Sequence, residues 1–335
     1  MPIVGVETAL FGVEDLPLAT RFFEDFGLPL FERSDIESHF RLDEGSNVVL
    51  RRIDDPSLPV AASLGAGIRE TIWGVDTRQS LDRLVADLRR DREVTVDADG
   101  TAHFLSDCGL ALGLRVFARK KVVYAPDPVN APGHVNRLNQ HRKWKKRARP
   151  KTINHVVFAV EDYRASFAFF RDRLGFRLSD HQKQVGIYSR CDGANEHHNL
   201  FLADCRLPGM KGHCHFHHIN FGVEDIDELM VGVNYLQRRG WQQGFLGNGR
   251  HRIASALFSY WHSPAGGEAE YGADTDYLDD NWVPREWEFR FGTAIWMQNL
   301  VGFLQEEPEW DVGFYKEFGP TNGPDAGGPD TGVPE

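Results

Sequence analysis

The sequence predicts an α+β fold: four βαβββ modules paired into two similar domains, each an open mixed β-barrel with its helices outside. The prediction has two sources: the 335-residue chain repeats itself, and within each half a shorter strand–helix pattern recurs. FGVEDLPLATRFFEDFG, from Phe11, aligns with FAVEDYRASFAFFRDRLG, from Phe158, at an offset of 147 residues that also matches Phe22-Phe23-x-Asp25 to Phe169-Phe170-x-Asp172. TIWGVD, from Thr71, aligns with INFGVED, from Ile219, at an offset of 148.

Each element has a local cause. Val156–Val160 alternates as a strand, Asp162 is placed to cap a helix running to about Arg173, and Gly175 stops it. Ile219–Val223 and a helix from about Asp225 to Arg239, closed by Gly240, repeat the pattern. The expected domains are residues 1–120, a basic linker over 121–150, and residues 151–300. The Gly- and Pro-rich stretch 319–335 is expected to be a poorly ordered tail.

Composition narrows the function classes. Hydrophobic content of 41% and charged content of 26% are those of a soluble globular chain. A net charge of −11 argues against nucleic acid as a partner. Residues 119–151 reverse that sign, with Arg119, Lys120, Lys121 and the run RKWKKRARPK from Arg142 to Lys151. The run reads as a solvated linker, with an anion- or partner-binding patch as the alternative. No run of about 18 apolar residues could span a bilayer, and no N-terminal apolar stretch with a cleavage site is present, so no membrane partner and a cytoplasmic location are expected. Cys108, Cys191, Cys205 and Cys214 lack paired spacing and read as reduced thiols.

Three residues stand out: His155 in INHVVFAVED, His218 in HHINFGVED and Glu270 in SPAGGEAEYG, each on its own strand-like run. Two imidazoles and one carboxylate are the ligand set of a mononuclear non-haem Fe(II) site, which leaves one face of the metal open. Separations of 63 and 52 residues mean that a fold, not a local loop, must assemble it. Strand alternation puts His155 on a face with Val157 and Ala159, and His218 with Asn220 and Gly222. The small Ala159 and Gly222 are expected to leave room beside the metal.

Rivals lie close by. His217 competes with His218, His197 with His198, and Glu268 with Glu270. In GHCHFHH, from Gly212, residues His213, His215 and His217 share a parity. They read as a histidine-rich loop at the pocket rim, with a second metal site on the outer face as the alternative. His262 and Asp107 read as ordinary polar residues. Trp282, Trp287, Phe289, Phe291 and Trp296 read as core packing of the C-terminal segment, with a lid as the alternative.

These residues carry a resemblance over nearly the whole chain up to about Trp287. The succession Asn-His, then His-His-x-x-Phe, then Ser-Pro-x-Gly-x-x-x-Glu-Tyr-Gly resembles the type I extradiol ring-cleaving dioxygenases of the vicinal oxygen chelate (glyoxalase/bleomycin resistance/dioxygenase) superfamily. The resemblance implies that His155, His218 and Glu270 bind Fe(II), with Mn(II) as the alternative. It implies catalytic roles for His198 beside the dioxygen site, for His251 near the substrate, and for Tyr260 bonded to a substrate hydroxyl. It further implies a catecholic substrate, O2, ring opening beside the diol, and a homo-oligomer. A metal-dependent isomerase, lyase or thiol transferase of the same superfamily, or a non-catalytic ligand-binding protein, are the alternatives. In the first half the equivalent positions are Thr8 (or Glu7), Glu70 and approximately Gly113, so the N-terminal domain is expected to be metal-free.

Overall fold

In the computed structural model, which describes residues 3–60, 62 and 64–316, the first half folds as β1 (Ile3–Val13), α1 (Leu16–Phe26), β2 (Leu30–Arg33), β3 (Glu37–Arg41), β4 (Asn47–Arg52), β5 (Gly67–Val75), α2 (Arg78–Leu88), β6 (Thr95–Val96), β7 (Ala102–Leu105) and β8 (Ala111–Val116). The second half repeats the order with β9 (Thr152–Val160), α3 (Tyr163–Leu174), β10 (Arg177–Gln182), β11 (Gly186–Arg190), β12 (Leu200–Asp204), β13 (His215–Gly222), α4 (Ile226–Arg238), β14 (Gln243–Arg250), β15 (Leu257–His262) and β16 (Glu268–Ala273). A C-terminal extension adds β17 (Arg285–Trp287), α5 (Phe289–Thr293), β18 (Trp296–Met297) and β19 (Val312–Phe314). The four βαβββ modules are therefore present, two in an eight-stranded sheet and two in an eleven-stranded one. The tail 319–335 lies outside the described residues. Among the described residues no helix is long and apolar enough to cross a membrane.

Each module closes in the same way. Its first strand runs parallel to its last, as in β1 with β4 and β9 with β12, and the helix makes the return crossing. The first strands of paired modules, β9 and β13, lie antiparallel at the centre of the sheet. The caps follow the sequence. Asp162 accepts from the backbone N–H groups of Arg164 and Ala165, and Gly175 ends α3 with φ of 75°, a left-handed conformation that glycine adopts without a Cβ clash. Asp225 caps α4 in the same manner through Glu228 N–H.

The repeated phenylalanine pairs join the halves. On α1, Phe22 meets Trp241 edge-on at 5.1 Å, and Phe23 meets Phe221 at 6.1 Å. Phe26 stacks on Tyr271 at 4.0 Å, while the Tyr271 hydroxyl donates to Phe26 O at 2.6 Å. α3, carrying Phe169 and Phe170, packs against α2. One apolar core thus runs through both halves.

A buried ion pair fixes their polar seam. Arg119 Nε donates to Glu44 at 2.7 Å and its Nη2 to Glu196 at 2.6 Å, while Glu44 also accepts from Ile153 N–H at 2.6 Å. Burial pushes Glu44 up despite the guanidinium beside it. Removing one partner of a buried pair leaves an uncompensated charge. Arg119→Met is expected to lower unfolding stability by about 3–5 kcal/mol in a denaturant titration, and Glu44→Gln/Arg119→Met by less than Arg119→Met alone.

Candidate metal centre

β9, β13 and β16 stand side by side, with Asn220 of β13 opposite both His155 and Glu270. Two β-bulges aim the histidines. Asn154 is an extra residue of β9 beside His155, and His217 is an extra residue of β13 beside His218. A bulge rotates the side chains that flank it, a device common next to active sites. His155 Nε2, His218 Nε2 and Glu270 Oε2 consequently form a triangle with all three edges at 3.3 Å.

That triangle suits a cation. Ligands about 2.1 Å from one ion and at right angles to one another lie about 3 Å apart. All three residues are buried, and they form a group able to hold a metal ion, the only one of three or more ligating residues among the described residues. Glu270 Oε2 is sealed from solvent with no hydrogen-bond donor. Burial pushes the Glu270 carboxyl up, but the imidazoles of His155 and His218 more than reverse this and hold it well below the usual carboxylate range. Burial pushes His155 down, so its nitrogen lone pair is available. The donor set therefore fits a divalent ion without rearrangement.

His217 takes a supporting place. Its Nδ1 lies 2.6 Å from His218 Nδ1, and burial holds its pKa at about 3. With His218 Nε2 turned into the triangle as a lone-pair donor, His218 Nδ1–H donates to His217, which fixes the ring's tautomer and aim. Strand alternation alone would have sent His217 to the opposite face; the bulge brings it alongside. His215 and His217 are strand residues of β13 and not part of a rim loop, and His215 Nδ1 bonds His213 O at 2.7 Å. Gly222 does not open the cup: a Cβ there would stand 2.2 Å from Thr152 Oγ1, so strand packing requires the glycine. Glu268 sits apart from the triangle, 3.4 Å from His262.

The three residues singled out as acid–base groups lie around the triangle. The His198 ring is 4.1 Å from that of His155, and burial, then the neighbouring imidazoles, push His198 well below its ordinary value. Tyr260 is the register partner of Glu270 and packs edge-on against His218 at 5.1 Å. Its hydroxyl lies 3.1 Å from His251 Nε2, and His251 Nδ1 lies 2.7 Å from Thr293 O. A carbonyl only accepts, so Nδ1 carries the proton and Tyr260 donates to Nε2. Burial, reinforced by Glu270, raises the Tyr260 phenol well above its usual value.

The supporting contacts of His197, Asp180 and Gln182 were not foreseen from the sequence. His197 Nδ1 is 3.1 Å from His198 Nδ1, and its Nε2 is 3.0 Å from the buried carboxylate of Asp180, which also accepts from Arg285 N–H at 2.8 Å. β17 adds to β10 at one edge of the barrel and β18 to β14 at the other, so residues 285–297 strap across its open side. Gln182 ties this strap to the wall, donating to Phe289 O and Thr293 Oγ1 and accepting from Tyr188. The aromatic side chains of the extension pair largely with one another, Phe289 with Phe303 and Phe291 with Trp310.

In the first half the equivalent positions carry other residues. The register pairs Thr71 with Leu112 as it pairs Ile219 with Ala269, which places Gly113 where Glu270 stands and Glu70 where His218 stands. His103, opposite Gly113, takes the place of Tyr260. It bonds Glu70 at 2.7 Å and Asp97 at 3.0 Å, and Glu70 raises its pKa to about 9. Glu7 is met by Thr8, Asn47 and Arg115. These carboxylates are neutralised by the protein itself.

A model of the Glyoxalase/Bleomycin resistance protein/Dioxygenase superfamily matches residues 152–241, the stretch that supplies both histidines of the triangle. The chain is 32% identical over 137 residues to metapyrocatechase 2 of Cupriavidus necator, covering 41% of each protein. It is 30% identical over 146 residues to an iron-dependent extradiol dioxygenase of Rhodococcus jostii, covering 40% of this chain and 47% of that one. The matched stretch thus spans less than half of these relatives. The fold is shared with a Mn(II)-bound glyoxalase from Novosphingobium aromaticivorans, at a TM-score of 0.70 and 21% identity over 92% of this chain and 96% of that one. It is also shared with a halotolerant catechol dioxygenase, at 0.69 and 18% over 94% and 99%.

Two outcomes are expected. Anaerobic Fe(II) or Mn(II) raises the thermal midpoint of the metal-stripped chain through binding to the folded state, and His155→Ala, His218→Ala and Glu270→Ala each abolish that rise and leave no stoichiometric metal by elemental analysis. Because the folded pKa of His103 is raised from 6.5 to about 9, its stabilisation is complete below pH 6.5 and is lost as pH climbs through 9. The urea midpoint falls across that window, and His103→Gln flattens the fall.

Proposed function

We propose that this chain, whose residues 152–241 match a model of the Glyoxalase/Bleomycin resistance protein/Dioxygenase superfamily, is an extradiol dioxygenase that opens the ring of a catecholic substrate with O2 at a mononuclear Fe(II). One observation carries the reading: an open triangle of two imidazoles and a carboxylate with a Tyr260–His251 pair at its edge. Mn(II) is the alternative ion. Bound by His155, His218 and Glu270, the metal would hold catechol and O2 together and lower the pKa of the catechol hydroxyls.

The protein's own groups do the rest. Tyr260 and His251 take up and hold a proton of the catechol: Tyr260 orients the hydroxyl, and His251 Nε2 receives the proton through the phenol. The carbonyl of Thr293 keeps His251 in the tautomer that leaves Nε2 free for this. Buried neutral, His198 offers its imidazole as a hydrogen-bond partner to oxygen as charge builds on it. The walls suit an aromatic ring. Tyr188, whose ring lies 5.1 Å from that of His198, packs on the cluster of Val157, Phe201 and Ala203 and on that of Ile253, Ala254 and Ala256, while Tyr260 clusters with Phe258 and Met297. The strap over residues 285–297 joins the two edges of the sheet and reaches the site through Thr293 O on His251. Relatives named for metapyrocatechase and biphenyl-2,3-diol dioxygenase activity support the same substrate class.

The test is anaerobic reconstitution with Fe(II), followed by oxygen uptake and absorbance scans with substituted catechols. One O2 consumed per ring-opened product supports the reading. Stoichiometric metal with no oxygen uptake on any catechol moves it to a metal-dependent isomerase, lyase or thiol transferase. Tyr260→Phe is expected to retain metal while kcat falls by about 100-fold.

A further inference from the structure

Behind His198 stands a buried chain of polar groups that the reaction described above does not use. His197 Nδ1 lies 3.1 Å from His198 Nδ1, and His197 Nε2 lies 3.0 Å from Asp180 Oδ2. The side chains of His197 and Asp180 are each 1% exposed. A β-bulge aims the carboxylate: Ser179 is an extra residue of β10, with Leu178 opposite Ser189 and Asp180 opposite Tyr188. Residues 276–285 then hold both ends of the chain. Arg285 N–H donates to Asp180 Oδ1 at 2.8 Å, Trp282 Nε1–H donates to Ser179 O at 2.7 Å, and His197 N–H donates to Asp276 O at 2.9 Å.

The order of donors decides where each proton sits. A carboxylate only accepts, so His197 carries its proton on Nε2 toward Asp180, and Nδ1 of the same neutral ring is a lone pair. His198 Nδ1–H then donates to that lone pair, which leaves His198 Nε2 bare. Nε2 is across the ring from His197 and takes no hydrogen bond among the described residues. The ring itself lies 4.1 Å from that of His155, beside the triangle. We propose that Asp180 and His197 are positioning residues that lock His198 in its Nδ1–H tautomer, so that it meets a substrate or water O–H as an acceptor. That use rests on the dioxygenase reading, whereas the tautomer does not. As the hydroxyl proton leans toward Nε2, charge builds on its oxygen, and Asp180 steadies the imidazole through His197. A pair that served packing alone would end on backbone or solvent. This one ends on an imidazole at the edge of the ligand set.

One near-isosteric substitution reverses the chain. In Asp180→Asn the Arg285 N–H still requires an acceptor at Oδ1, so the amide nitrogen takes the place of Oδ2 and donates to His197 Nε2. His197 then donates from Nδ1 to His198 Nδ1, and the proton of His198 moves to Nε2. Long-range proton–nitrogen correlation spectra of the histidine-labelled full chain, loaded with diamagnetic Zn(II), read the tautomer directly, with His198→Gln identifying the ring. The native chain is expected to show His198 protonated at Nδ1, and Asp180→Asn to show it protonated at Nε2. In the Fe(II)-loaded chain, Asp180→Asn is expected to keep its metal and a KM for catechol within about twofold, while kcat falls by about 100-fold. A native His198 protonated at Nε2, an unchanged tautomer in Asp180→Asn, or a reversed tautomer with unchanged kcat would each overturn the proposal. The spectra decide the tautomer whether or not the chain turns over catechol, so failure of the dioxygenase reading is a separate result.

Discussion

One carboxylate oxygen, sealed between two imidazole nitrogens and given no donor, is the constraint on which the second half is built. Burying an ionised carboxylate without a partner costs several kcal/mol. His155 and His218 flank Glu270 Oε2, and a cation at the point the three share would meet that cost while leaving both imidazoles neutral. The neighbouring features serve that point. Two bulges turn the histidines inward, His217 fixes the His218 ring, and Tyr260 rides beside Glu270 on the next strand.

The first half uses the same scaffold to the opposite end. At the position of His218 it carries Glu70, at that of Glu270 it carries Gly113, and His103 stands where Tyr260 does. A carboxylate and an imidazole exchanged across two strands close on each other at 2.7 Å. No lone pair is then left directed at a common point. Divergence between the halves is thus a matter of which charges are satisfied internally. The shared core, in which Phe22, Phe23 and Phe26 of α1 pack on Trp241, Phe221 and Tyr271, lets the first half act as a wall for the second.

Much of this was legible in the sequence because it rests on local signals. The repeat at Phe11 and Phe158, the caps Asp162 and Asp225, and the stops Gly175 and Gly240 are read directly from residue type and spacing. His155, His218 and Glu270, singled out by residue type and strand-like context, meet in the fold, and His198, His251 and Tyr260, singled out by the resemblance, lie around them. What escaped depends on pairing between distant residues. Strand parity failed at His217 because a bulge is set by register between β9 and β13, which composition does not encode. Asp180 and His197 are 17 residues apart and meet only in the folded barrel. The strap strands β17, β18 and β19 have two or three residues each, too short to show an alternation.

Iron-edge anomalous diffraction from crystals of the anaerobically Fe(II)-loaded chain tests the central claim most directly. The account predicts one strong peak per chain, bounded by His155 Nε2, His218 Nε2 and the Glu270 carboxylate. A peak at the His213–His215 segment or at Glu70–His103, with none inside the triangle, would contradict it.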